Sequence, residues 1–170
     1  MSARPQERPP TLRPYLPADE HVLAVIFRDS IQELASEDYS EGQLAAWSGA
    51  ADDKEFAVRL ASQTTLIALM DGTPAGFISL KGLDHIDMLY VHPNFVRRGV
   101  GNALCDALET IAAARGVEAL TVEATDNARP FFDQRGYTAE IRKLVPSGDE
   151  WLGETTMKKR LPKREAGRLQ

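Results

Sequence analysis

The sequence predicts an α+β fold, a mixed and mostly antiparallel sheet flanked by helices. Three observations carry that expectation. Apolar residues recur at helical spacing in two long stretches: Leu23, Ile26, Phe27, Ile31 and Leu34, then Val100, Ala103, Leu104, Ala107, Leu108 and Ile111. Asp71-Gly72 joins two apolar runs, "TLIALM" and "PAGFISLKG", as a tight hairpin. The elements then follow the order strand, helices, three strands, helix, strand, helix, two strands. Hairpins early in that order do not fit a doubly wound parallel sheet.

Each element has a local reason. Residues 1–10 are rich in proline and polar groups and are expected to form a disordered arm. "TLRPY" opens the sheet. Asp19 and Glu20 stand where a helix start favours acids. "SEGQLAAW" reads as a short helix with Ser40 as its N-cap, and "DKEFAVRLAS" as another. After the hairpin and Gly82, "HIDMLYV" is a third strand, again antiparallel. Gly116 ends the helix that begins near residue 100. "EALTVEA" is a strand, "ARPFFDQRG" a short helix capped by Asn127, and "YTAEIRKLV" and "ETTMKKRL" close the sheet. One domain over residues 11–161 is expected, with 162–170 a polar basic tail. Cys105 reads as a core residue.

Composition narrows the function. At 170 residues with 43% hydrophobic content, the chain can bury one full core. A net charge of -5 argues against nucleic acid as a partner. No apolar run approaches the roughly 20 residues of a membrane span, and "MSARPQERPP" lacks the apolar core of a signal peptide. A single cysteine suits a reducing compartment. The expectation is a cytoplasmic protein, with neither membrane nor nucleic acid as partner, and with a homodimer left open.

The most informative stretch is "YVHPNFVRRGVGNAL", residues 90–104. A strand runs through a proline turn into two arginines and two glycines, where a helix begins. A helix start presents unpaired N–H groups and about half a positive charge. Gly99 and Gly101 let an anion approach those amides, and Arg97 and Arg98 add charge in a geometry suited to phosphate. A dinucleotide loop would need a third glycine at Leu104, and a nucleoside-triphosphate loop Lys and Ser or Thr where Asn102-Ala103 stand. Both nucleotide readings fail.

"VRRGVG" at 96–101, "LYVHP" before it and "NARPFFDQRGY" at 127–137, at their spacing, resemble the GNAT superfamily of acetyltransferases over about residues 11–161. The resemblance implies a GNAT-like sheet splayed between its central strands, and acetyl-CoA as the acyl donor, with no metal. It implies a pyrophosphate on the amides of Arg97, Arg98, Gly99, Val100, Gly101 and Asn102. Pantetheine would run beside Leu89, Tyr90 and Val91, with Asn127, Phe131 and Phe132 completing the donor site. Val96 replaces the family's usual Gln or Arg. Phe132 replaces a tyrosine that in many members protonates the departing thiolate, and a phenylalanine has no proton to give. Tyr39, Tyr90 and Tyr137 are the other candidate phenols.

Transfer to an amine also needs a proton acceptor, since deprotonating a lysine-like amine at pH 7 costs about 4.6 kcal/mol. Strand alternation in "DHIDMLYV" puts His85, Asp87, Leu89 and Val91 on one face, with Asp87 placed to orient His85. The resemblance puts His85 where the histone-type enzymes carry a glutamate base. Both are candidate catalytic residues, and Tyr39 and Trp47 are candidates for the acceptor pocket. The expected acceptor is a small-molecule or peptide amine. A non-catalytic acyl-CoA-binding or sensing module, and an interaction scaffold, are the alternatives.

Overall fold

The structure, a computed structural model, describes residues 8–52 and 54–163. Residues 1–7 of the expected arm, 164–170 of the expected tail and the side chain of Leu34 lie outside the described residues. Seven strands are present: β1 (Thr11–Pro14), β2 (Thr64–Met70), β3 (Thr73–Lys81), β4 (His85–Val91), β5 (Ala119–Thr125), β6 (Thr138–Ser147) and β7 (Glu150–Arg160). They form one sheet in the order β1-β2-β3-β4-β5-β7-β6. Five helices pack on it: α1 (Glu20–Leu34), α2 (Glu41–Ser48), α3 (Lys54–Ser62), α4 (Val100–Ala114) and α5 (Arg129–Gln134). The fold class and element order are those expected from the sequence.

Local chemistry explains most boundaries. Ser40 Oγ accepts from the Gln43 amide at 3.1 Å, and Gln43 Oε1 accepts from the Ser40 amide at 2.9 Å, a reciprocal cap on α2. Asp71 and Gly72 both take positive φ, 50° and 82°, as a two-residue hairpin between twisted strands requires. The sheet separates two cores. One lies under α4 and α5 and contains Ile78, Leu80, Leu104, Leu108, Leu120 and Met157. The other lies under α1 and α3 and contains Leu23, Phe27, Ile31, Phe56, Leu60 and Phe77. On α4 the buried stripe is Val100, Leu104, Cys105, Leu108 and Ala112, so the expected Ala103, Ala107 and Ile111 stand at its flank. Cys105 is in the core, and burial pushes its thiol up to about 12.

Two irregularities place the site. The parallel pairing of β4 with β5 consists of His85 with Thr121 and Ile86 with Val122, and beyond it the strands part. On the other side of β4, Leu80 pairs with Ile86 and Ser79 with Met88, leaving Asp87 as a bulged residue. The bulge breaks the two-residue rhythm. Ile86 packs in the α4 core but Met88 in the α1 core, and Leu89 and Val91 lie against the α4 core while Tyr90 lies against the other. The expectation that His85, Asp87, Leu89 and Val91 share one face therefore fails, because alternation holds only in an unbulged strand.

A buried ion network ties α4 to α5 and β7. Arg135, at the end of α5, donates to Glu109 at 2.7 Å, Asp106 at 2.8 Å and Asn102 at 2.9 Å. Lys159 on β7 reaches the other Glu109 oxygen at 2.6 Å, and the Tyr137 hydroxyl donates to Glu109 at 3.2 Å. The side chains of Arg135 and Glu109 are only 10% and 12% exposed. Removing one partner of such a pair strands the other charge, at a cost of about 3–5 kcal/mol. Asp106 and Asn102 still hold Arg135, so Glu109→Ala is expected to lose about 3 kcal/mol in urea unfolding at unchanged m. A loss below about 1 kcal/mol would show that the network is dispensable.

Candidate active site

β4 ends at Val91, and the chain turns through Pro93–Phe95. His92 fixes this turn: its Nε2 lies 2.9 Å from Asp29 Oδ2 on α1, and its Nδ1 accepts from the Asn94 amide at 3.2 Å. Arg97 and Gly99 then both adopt left-handed conformations, φ 63° and 78°, and α4 starts without a side-chain cap. The first α4 turn closes with the Ala103 amide on the Gly99 carbonyl at 3.0 Å. Among the described residues, the amides of Arg97 to Asn102 have no hydrogen-bond acceptor. Six N–H groups at a helix start are thus available to an anion.

The glycines serve different ends. A Cβ on Gly99 would meet nothing within 4 Å, so its requirement is conformational. A Cβ on Gly101 would stand 3.3 Å from the Phe131 ring, so this glycine makes room for α5. Phe131 accordingly packs on α4 and is not part of the cavity wall. Val100 is a core residue, and the Asn102 side chain is held by Arg135, so these two can offer a ligand only their backbone. Arg98 lies over the Phe95 ring at 5.8 Å.

Between the parted strands lies a cavity of about 120 Å3. Leu89, Tyr90 and Val91 line one wall, Glu123 and Thr125 the other, and Asn127 and Phe132 close the end. Phe132 is buried edge-on to the rings of Phe131 and Tyr137. The N-cap of α5 is Ala128 rather than the expected Asn127, whose Oδ1 instead accepts from Thr125 Oγ1 at 2.7 Å. Proline at the second helical position tolerates the missing cap, having no N–H to satisfy.

A second cavity, of about 280 Å3, shares Trp47, Asp87, Tyr90, Glu123 and Thr125 with the first. His85 and Asp87 both line it but are not joined to each other. Asp87 Oδ2 accepts from Arg59 at 2.9 and 3.0 Å and from Gln63 at 2.8 Å, both residues of the α3 region. His85 Nδ1 lies 2.8 Å from Thr121 Oγ1, whose own proton points to the Asp84 carbonyl at 3.5 Å. In the tautomer that carries its proton on Nδ1, Nε2 is the acceptor.

The phenols separate clearly. Tyr137 is committed to Glu109 on the far side of the sheet. Tyr39 accepts from the Asp126 amide at 2.9 Å and lines neither cavity. Tyr90 lines both, accepts from Trp47 Nε1 at 3.3 Å, and is pushed up to about 12 by burial. Two residues in this region escaped the sequence reading, Glu123 on β5 and Glu154 on β7. Glu123 accepts from Thr156 at 2.8 Å and lies 3.6 Å from Lys143. Burial, and secondly the charge of Glu123, raises the Glu154 carboxyl above the usual range. Only the β5–β7 register brings the two glutamates together, and no local pattern signals it.

The description "Acetyltransferase (GNAT) domain" fits residues 35–161. The chain is 34% identical over 142 residues to the uncharacterized N-acetyltransferase YafP of Escherichia coli K12, covering 83% of this chain and 89% of that one. A crystal structure of a GCN5-related N-acetyltransferase from Rhodopseudomonas palustris superposes with a TM-score of 0.89 at 56% identity, covering 94% of this chain and all of that one. The PaiA N-acetyltransferase of Thermoplasma acidophilum, solved with coenzyme A, shares the fold at a TM-score of 0.73 and 22% identity, over 90% and 99% of the two chains. By its parted central strands, its open helix start and these matches, the chain belongs to the GNAT superfamily of acetyltransferases.

Proposed function

We propose that the protein moves the acetyl group of acetyl-CoA directly to an amine, small molecule or peptide, that enters the second cavity. The observation that carries this reading is the shared wall. The free amides of α4 and the gap beside Leu89–Val91 suit a phosphorylated, extended donor, and the gap opens into a polar cavity of separate character. Arg97 and Arg98 supply charge for the phosphates, and Asn127 and Phe132 bound the acyl end. In the reaction an N–C bond forms and the C–S bond breaks. One proton leaves the nitrogen and one reaches the sulfur.

His85 takes the first proton, on the bare Nε2. Asp87 acts through Arg59, holding it at the cavity edge, rather than through His85. For the second proton, Phe132 has none to give. Tyr90 near 12 is a weaker acid than an ordinary thiol at about 8.5, so it stays protonated and water serves the thiolate. The buried, unpaired Cys105 supports a reducing, cytosolic setting.

Acetyl-CoA is expected to stabilise the fold by about 2.7 kcal/mol at a hundredfold excess over Kd, seen as a thermal shift. Gly101→Val drives a side chain into Phe131 and displaces the helix start, and the shift should disappear. A folded Gly101→Val that binds with wild-type affinity would refute the loop assignment.

His85→Ala should lower kcat/KM for an amine by about 10²- to 10⁴-fold and remove the base limb of the pH profile, with acetyl-CoA affinity unchanged. Tyr90→Phe should stay within about threefold of wild type in kcat, against the larger loss expected of a general acid. An unaltered pH profile in His85→Ala sends the proton elsewhere, and a hundredfold loss in Tyr90→Phe makes the phenol the acid.

A further inference from the structure

The second cavity holds one more carboxylate than its cations match. Arg59 and Gln63 engage Asp87, and Lys143 and Thr156 engage Glu123. His85 is engaged by Thr121, 2.8 Å from its Nδ1. Glu154, facing Thr125 across the β5–β7 ladder, has neither a hydrogen bond nor an ion pair among the described residues. Its walls are otherwise apolar and aromatic: Phe27, Trp47, Tyr90 and Leu152. Lys143, opposite Glu154 on β6, favours its charge but makes its ion pair with Glu123. Burial therefore still opposes ionisation of Glu154, and a cation entering the cavity relieves it.

We propose that Glu154 is the residue that selects a positively charged acceptor, pairing with the ammonium of a primary amine whose carbon body lies against Trp47, Tyr90 and Phe27. This rests on the acetyl-transfer reading and names its substrate class: basic amines, cationic at neutral pH, over weakly basic ones. Aromatic faces add to the preference, since a desolvated cation over a ring gains about 0.5–2 kcal/mol. His85 then removes a proton from the bound ammonium before attack. The charged groups sharing the cavity with Glu154 are Arg59 on α3, His85 and Asp87 on β4, Glu123 on β5 and Lys143 on β6, with the Tyr90 phenol beside them. The pH sign follows from the carboxyl's direction. Because the carboxyl is raised, affinity for the cation rises with pH through a limb that lies above that of an ordinary glutamate.

The test separates binding from turnover. Butylammonium and its neutral counterpart butanol are titrated against the CoA-bound protein, where no acetyl group allows reaction, while the Glu154 carboxyl is followed by carbon NMR. Butylammonium should bind and lower the Glu154 midpoint; butanol should do neither. Glu154→Gln should weaken butylammonium at least tenfold, Glu154→Asp should recover part of it, and neither should lower the melting temperature. With acetyl-CoA, Glu154→Gln should raise KM for butylamine at least tenfold with kcat and the KM for acetyl-CoA near wild type. An aromatic amine that is uncharged at the assay pH should show no such change. Equal binding of butanol and butylammonium, a Glu154 midpoint unmoved by the amine, or an unchanged KM in Glu154→Gln overturns the proposal. If wild type acetylates no amine at all, the acetyl-transfer reading fails, and the carboxyl titration still decides whether Glu154 holds a cation.

Discussion

Two residue pairs in the β4–β5 ladder, His85 with Thr121 and Ile86 with Val122, join the halves of the sheet. Both cavities described above open where that ladder stops. In the interior of a sheet both edges of a strand are normally paired, and here Leu89 to Val91 pair with β3 on one edge while the other fronts a gap. An extended ligand can complete the sheet there as a strand would. The cost of leaving the gap open is limited by side chains from both cores, with Phe132 and Tyr90 packed around it.

The open helix start and the second cavity are supported by different parts of the fold. The anion loop depends on local geometry, two left-handed residues and a helix start, braced from behind by Arg135 and Glu109. The second cavity draws on α1, α2, α3 and four strands, including the hairpin of β6 and β7. Its charges are nearly all matched in pairs, which fixes Arg59 and Lys143 in place. A cavity assembled in this way can change one wall without disturbing the loop before α4.

Legibility in the sequence follows the range of the interactions. The hairpin at Asp71-Gly72, the cap at Ser40 and the basic loop before α4 are written in neighbouring residues, and all are found where expected. The α4 stripe was off by a fraction of a turn because Cys105 and Ala112 are as apolar as the residues chosen. Asp87 was misread for a different reason. Its partners Arg59 and Gln63 lie more than twenty residues away, and its bulge exists only in the register between β3 and β4. Glu123 and Glu154 likewise meet only through strand pairing. Tyr39 and Trp47 fell between the two cases: Trp47 reaches both cavities, whereas Tyr39 holds the β5–α5 turn from behind.

The bulge at Asp87 makes the effect of a change in length on this strand depend on where the change falls. A substitution at 87 alters one charge. Deleting Asp87 would remove the bulge, restore strict alternation and leave Met88 and Tyr90 toward α1 and Leu89 and Val91 toward α4. Deleting a residue beyond Met88 with the bulge kept would instead turn over every side chain that follows it. Single-codon insertions and deletions between Met88 and Val91 should therefore be among the least tolerated in the gene, and the bulge position the one place in the strand where a residue can be lost without reversing its faces.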